Sequence, residues 1–437
     1  ASRAALDAAK ADYTAQEQKL ADCRENPLLQ ELYKEEEARE AAWEAARKAV
    51  EQVGGDIRVC EKQLASCEAE QTKAVETARQ STAAAEAFFG KYPLLEPLAQ
   101  ERKKGLMTGG RTARAAAQTA EKAHAICGKS TAALFTDMLR CAKRYGAGPT
   151  DYMMFEFYDL NDDERATYLT RVRSAAFVKR VNNRADAAIF NDKNAFFEKF
   201  RPLMGREALN LFKADAEQFK TFMADKDAVI VKPIDGDCGS GIEKLYKKDF
   251  ADLNAMWAYM KKPEKRFGIC EEVIRQHPQA AALHPDSINC IRVATYVKDG
   301  EPLVIYAACK AGTGGMAFDN MGRGGITMRF DLDTGKICGQ GHDEELKKYD
   351  KHPTTGIVLK GYQMPMHEEV KALALKAALM YPEFHYVGWD ICMTEKGPAI
   401  IEGNDYPGYD LAQIPDDGDP HPRYGLIPRF EKYGIEV

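Results

Sequence analysis

The chain has 437 residues, 45% of them hydrophobic and 29% charged, with a formal net charge of −6. That length admits two or three domains with a large core, and the acidic balance excludes a general nucleic-acid binder, which would need a basic surface to neutralise phosphates. No apolar run approaches the roughly 18 residues of a membrane span, and no leader of charged, apolar and small-residue regions opens the sequence.

Ala1 stands where a starting methionine would, so removal of an upstream segment is expected. Eleven cysteines with no CxxC pair and no zinc-like spacing read as buried thiols of a reducing compartment, which predicts a cytoplasmic protein.

Residues 1–90 are rich in Ala, Glu, Gln, Lys and Arg, and Pro27 is their single proline; this is the composition of long helices. Stripes at alternating steps of three and four, such as Leu29, Leu32, Trp43, Val50 and Val53, are broken at Asn26-Pro27 and Gly54-Gly55. They predict three helices in a coiled-coil-like arm, packing within the chain, with a helical partner or by self-association. Residues 91–150 carry a glycine break at Thr108-Gly109-Gly110-Arg111 and two further helical patterns, and read as a helical linker or subdomain.

From Asp151 the texture changes. Helical patterns over 163–180 and 192–200 lead into short strands and helices joined by glycine-rich connections, an α+β pattern read as one catalytic domain over 151–437. Val229–Pro233 is a strand with Lys232 near its end, and Asp235, Gly236, Gly239, Ser240 and Gly241 follow. The backbone N–H groups of such a loop can approach phosphate oxygens, with Lys232 as a point charge. It is not a Walker loop, because no Gly-Lys-Ser/Thr follows.

Gly268–Arg275 is another strand-like run. In a nucleotide enzyme Glu271, Glu272, Val273 and Ile274 would form a hinge that meets adenine through its backbone, while Glu272 or a residue near Gln276 holds the ribose. Ser287–Tyr296 then places Arg292 inside a β-branched strand, and the neighbouring run Leu303–Lys310 ends on Lys310. A buried arginine needs an anion, so the two cations read either as a clamp for a transferred phosphoryl group or as structural ion pairs. The loop over 317–325 carries Asn320 and Arg323 amid glycines, and can close over reacting groups.

Tyr386–Met393 and Pro398–Glu402 read as strands of a hairpin through Thr394–Gly397. Alternation puts Asp390 and Glu402 on one face, and Asn404, two residues on, shares it. Two carboxylates and an amide are hard donors suited to Mg²⁺ completed by substrate phosphates. Flanked by Trp389, Ile391 and Ile401, the carboxylates would be costly without a counter-charge.

In this order the elements resemble the ATP-grasp superfamily over about residues 190–410. The resemblance implies an α+β fold of two subdomains clamping ATP, preceded by the long-helix, coiled-coil-like region. Lys193, in Asn191-Asp192-Lys193, and Lys232 would then be the nucleotide lysines, residues 235–241 the glycine-rich loop, and Asp390, Glu402 and Asn404 the Mg²⁺ ligands. Asn320-x-x-Arg323-Gly-Gly and Glu402-x-Asn404-x-x-Pro407-Gly408 look like the signatures of glutamate ligases that extend ribosomal-protein tails. The stretch from Asp151 to Leu160 through Lys193 is similar to the sugar-transfer-associated ATP-grasp group.

What the resemblance implies is an ADP-forming ligase. ATP would activate a carboxylate as an acyl phosphate, and an amine would attack it to give an amide or peptide bond. Arg292, with Lys310 or Arg323, would stabilise the transfer. The carboxylate and amine substrates are small molecules or peptides. Two other readings stay open: a phosphotransferase acting on a hydroxyl of a sugar-like substrate, and a non-catalytic scaffold that uses the helical arm.

Overall fold

The computed structural model describes residues 110–183, 185–233, 241–315, 319 and 321–437, with scattered positions between 14 and 93. Two compact units divide the chain, Ala1–Lys73 and Ala74–Val437, and the architecture below belongs to the second. Apart from those scattered positions, the coiled-coil-like arm expected over 1–90 lies outside the described residues.

Helices α1 (Gly110–Cys127), α2 (Thr131–Tyr145) and α3 (Pro149–Met154) are the first of this unit described over their whole length. On α2, Leu134, Phe135, Met138, Leu139, Cys141 and Tyr145 recur at helical spacing and are buried. Small residues of α1, Ala116, Ala117, Ala120 and Ala123, let it approach this stripe closely, and Tyr152, Phe155, Phe157 and Tyr168 complete the same core. Gly146, at φ 65°, ends α2 in the left-handed conformation that glycine adopts without strain. The helical segment before Asp151 thus shares its interior with the aromatic segment after it.

The helical pattern read over 163–180 is two helices, α4 (Asp162–Ala166) and α5 (Arg171–Val181). The interruption has a tertiary cause. Leu169 donates its backbone N–H to Gln413 Oε1 at 2.9 Å, outside any helix ladder, and the Thr170 hydroxyl bonds Tyr145 O at 2.8 Å. Helices α6 (Ala188–Asn191) and α7 (Lys193–Phe200) follow, and Asp192 caps α7 by accepting from Asn194 N and Ala195 N.

The smaller sheet is antiparallel in the order β1-β4-β2-β3, with β1 Ala208–Asn210, β2 Ala228–Pro233, β3 Glu243–Tyr246 and β4 Phe267–Glu272. Helices α8 (Ala216–Phe222) and α9 (Leu253–Met260) cover one face, packing Phe219, Met256 and Met260 on Val229 and Val231. By the period of two, Ile230 and Lys232 face the other way.

After α10 (Pro278–Leu283), the larger sheet has seven antiparallel strands in the order β11-β10-β5-β6-β7-β8-β9. They are β5 Cys290–Lys298, β6 Glu301–Ala311, β7 Ile326–Asp331, β8 Lys336–His342, β9 Lys348–Tyr349, β10 Tyr386–Thr394 and β11 Gly397–Asn404. One face, carrying Ile291, Val293, Met328 and Ile391, packs on Val370, Ala374 and Ala377 of α11 (His367–Leu379). Trp389 anchors that core among Phe190, Phe196 and Phe200, its indole N–H bonded to Thr295 Oγ1 at 2.8 Å. The opposite face carries the charges, and a C-terminal helix, α12 (Ile427–Glu431), closes one end of it with Phe177, Tyr386 and Phe430.

Candidate active site

A cavity of about 400 Å³ lies between the two sheets. Ile230, Ile288 and Ile401 give it apolar walls, Lys232 and Lys244 give it cations, and Val273 and Ile274 edge it just beyond β4. Apolar walls with few polar groups suit a ring carrying an anionic tail.

Glu271 and Glu272 take different positions in this edge. Glu271 is buried and receives Arg206 Nε at 2.8 Å and Lys232 Nζ at 2.9 Å on the same oxygen. Burial alone would raise its carboxyl, but the Arg206 and Lys232 charges prevail and lower it to about 2. Glu271 therefore holds Lys232 in place. Arg206 also donates through Nη1 to Ile400 O at 2.6 Å and through Nη2 to Ile401 O at 3.3 Å, joining the two sheets. Glu272 is half-buried and accepts from Glu207 N at 3.2 Å. Gln276 is engaged with backbone, its side chain accepting from Asn289 N at 2.8 Å and donating to Ser287 O.

The other expected nucleotide residues are dispersed. Lys193 begins α7, half-buried, and is not among the described residues lining this cavity. Gly241, at φ 71°, leads into β3, where a Cβ would meet Pro233 Cγ at 2.7 Å. Asp235, Gly236, Gly239, Ser240 and Asn320 lie outside the described residues, and Arg323 ends a single 3₁₀ turn, Met321–Arg323.

On the charged face of the larger sheet, register aligns Glu402, Asp390, Arg292, Ala308 and Arg329 in one row across β11, β10, β5, β6 and β7. Arg292 meets Asp390 with a two-pronged bond, Nε–Oδ1 2.5 Å and Nη2–Oδ2 2.9 Å, and Lys310 Nζ reaches Oδ2 at 3.1 Å. All three are buried. The anion that the buried arginine requires is thus the same carboxylate read from sequence as a metal ligand. Burial would raise Asp390, but the charges of Arg292 and then Lys310 outweigh it and hold the carboxyl well below the usual range.

Glu402 lies directly opposite Asp390. Glu402 is exposed on the edge strand β11, and its carboxyl is pushed up by desolvation and by the negative charge of Asp390. Asn404 pairs with Gly388 and donates its amide to Gly388 O at 3.2 Å, leaving its side-chain oxygen as an acceptor on the same face. Gly403 between them makes room for α7: a Cβ there would lie 2.7 Å from Phe196 Cε2. Two opposed carboxyls and an amide oxygen form a hard donor set that fits Mg²⁺. Among the described residues no group of three or more His, Cys, Asp or Glu side chains is poised for a metal.

Three residues emerge that the sequence reading passed over. Asp319 lines the cavity, stands 3.7 Å from Lys310 Nζ, and has a buried Oδ2 without a hydrogen-bond partner; its place next to Asn320 was the available signal. Arg206 precedes a three-residue strand and had none. Arg329 became visible only through strand register.

A family described as sugar-transfer associated ATP-grasp matches residues 172–425. No curated protein matches the chain. Among solved structures, the ATP-grasp ligase PsnB complexed with minimal precursor is 18% identical, covering 62% of this chain and 69% of that one at a TM-score of 0.34. The D-alanine–D-alanine ligase from Bacillus anthracis complexed with ATP is 15% identical, covering 58% and 63% at 0.32.

Proposed function

The chain belongs to the sugar-transfer-associated ATP-grasp family, and from that premise we propose an ATP-dependent ligase that joins a carboxylate to an amine through an acyl phosphate, releasing ADP and phosphate. The observation that carries this reading is the opposed pair Asp390 and Glu402, with Arg292 and Lys310 beside it.

In this proposal the isoleucine walls take the base, and Lys232, held by Glu271, meets the phosphates together with Lys193 and the backbone of the loop over 235–241. Glu271 thereby positions a lysine, and Glu272 is the carboxylate left for the ribose. Asp390, Glu402 and Asn404 would hold Mg²⁺, which would supply neutralisation of the phosphates' negative charge. Arg292 and Lys310 stand where negative charge develops on the transferred group, with Asn320 and Arg323 on the loop above. Burial of the two cations keeps water from a hydrolysable intermediate. The arm over 1–90 serves docking or self-association, the segment over 91–150 links it to the catalytic domain of 151–437, and the protein works in the cytoplasm.

The family description also favours a second reading, a phosphotransferase whose acceptor is a hydroxyl of a sugar-like substrate. Incubation with MgATP and a mixture of amino acids, peptides and sugars, followed by mass spectrometry, decides between them. An amide product with ADP is expected. A phosphorylated product would establish the second reading, and the absence of ADP formation with any mixture would overturn both.

A further inference from the structure

Strand β6 leaves the ladder after Ala311, whose partner Ile326 opens β7. The connection over 312–325 brings Asp319 to 3.7 Å from Lys310 Nζ, at the wall of the cavity between the two sheets. Its entry is held from outside. Gly312 donates its backbone N–H to Ser287 Oγ at 3.1 Å, and its carbonyl accepts from His352 Nε2 at 2.8 Å. Gly314 donates to Thr354 Oγ1 at 2.6 Å and accepts from His284 Nε2 at 2.8 Å. Four backbone groups thus meet four different side chains. Between them, the Thr313 hydroxyl donates to Gly324 O near the exit of the same connection.

The anchors are themselves linked. A carbonyl only accepts, so Nε2 carries the proton in both rings, and His352 Nδ1 is left to accept from Thr354 N and Thr355 N, each at 3.3 Å. His284 Nδ1 lies 2.9 Å from Ser287 Oγ, and Thr355 Oγ1 donates to Leu283 O at 3.0 Å, tying the two supporting segments together. Both rings are buried, with centroids 5.5 Å apart. A buried backbone group needs a partner, which accounts for the bonds of the buried Gly312. Gly314 is exposed, at φ 61°, and water would satisfy its N–H and C=O. The two side chains on it fix its position instead.

We propose that Ser287, His284, His352 and Thr354 are positioning residues for the transfer step: they set the entry of the 312–325 connection and, through it, the place of Asp319 beside Lys310. The use of that connection in transfer rests on the ligase reading. Ser287 also lines the cavity, so the cavity wall and the entry of the connection share one residue.

The test uses the full chain and three variants: Thr354→Val, at an exposed site where the fold is kept, His284→Leu and His284→Gln. Amide hydrogen exchange at Gly312 and Gly314 is read together with ADP formation from MgATP and mixed amino acids, peptides and sugars. Thr354→Val should speed exchange about tenfold at Gly314 and also at Gly312, which Thr354 does not bond. Its kcat for ADP formation should fall by about 10- to 100-fold with KM for ATP little changed. His284→Gln, whose amide still donates toward Gly314 O, should recover much of what His284→Leu loses. The proposal is overturned if exchange quickens only at the amide that lost its partner, or if both amides loosen while kcat is unchanged. Exchange needs no turnover. An unaltered protein that forms no ADP would defeat the ligase reading, while a joint rise in exchange would still support the anchors and a rise at one amide would overturn them.

Discussion

Asp390 and Glu402 face each other across β10 and β11, and their surroundings drive the two carboxyls in opposite directions. Asp390 is held ionised by Arg292 and Lys310, whereas Glu402 is pushed up by desolvation and by Asp390 itself. The proposed Mg²⁺ would relieve that repulsion. Glu402→Gln should therefore weaken Mg²⁺-dependent binding of a non-hydrolysable ATP analogue by about 10- to 100-fold, with little change in binding measured without Mg²⁺. Equal loss in both conditions would refute the proposed role of Glu402 in holding Mg²⁺.

Arg292 and Asp390 form a buried ion pair, for which loss of one partner is far worse than loss of both. Arg292→Ala should cost about 3 kcal/mol by leaving Asp390 buried with Lys310 as its one remaining counter-charge. Urea unfolding of Arg292→Ala, Asp390→Ala and the double variant checks this, and additive single effects would contradict the coupling.

Gly403 is required by close packing. Its Cβ substitute would press on Phe196 and Phe190 at 2.7 and 3.0 Å, so Gly403→Ala should destabilise by about 1–3 kcal/mol. Because the glycine lies between Glu402 and Asn404, Mg²⁺-dependent nucleotide binding should weaken as well. A melting curve and an affinity both unchanged would mean that α7 yields freely.

Glu271 sets an acid limb. Its folded carboxyl lies at about 2, below the unfolded value of about 4.3. The stabilisation is therefore complete above the unfolded value and is lost as pH falls through the folded one. Glu271→Gln should flatten stability over that window, while lowering it at neutral pH because Arg206 is left buried without its partner. An unaltered acid profile would refute this.

His421 acts in the reverse sense. Its ring meets Glu164 Oε1 at 2.6 Å and Asp159 Oδ2 at 3.1 Å, and these partners raise its pKa. The tether is present in full below the unfolded value of about 6.5 and weakens as pH rises through the folded value above it. Proteolysis within the loop over 412–424 should accelerate over that rise, and His421→Gln should be cleaved at a rate independent of pH.

How much of this was legible depended on whether the signal was local. The hairpin of β10 and β11 could be read from apolar runs and a glycine turn, but the regular register from that turn would set Asp390 opposite Ile401; a shift in the ladder between Asp390 and Ile391 brings Glu402 opposite instead, and no sequence signal announced it. The union of Arg292 with Asp390 was not legible either, because it depends on β5 pairing with β10 across 98 residues of chain. Likewise Glu271 and Glu272 are adjacent, and only alternation within a particular sheet turns one toward Arg206 and the other toward Glu207. The helix break at 167–170 escaped the sequence reading for a similar reason, since its partner Gln413 is 244 residues away from Leu169.

Arg206 bonds to Glu271 in the smaller sheet and to the carbonyls of Ile400 and Ile401 at the edge of the larger one. A buried side chain fastened to both lobes acts as a pivot. Opening the cleft while those bonds persist is a rotation rather than a separation.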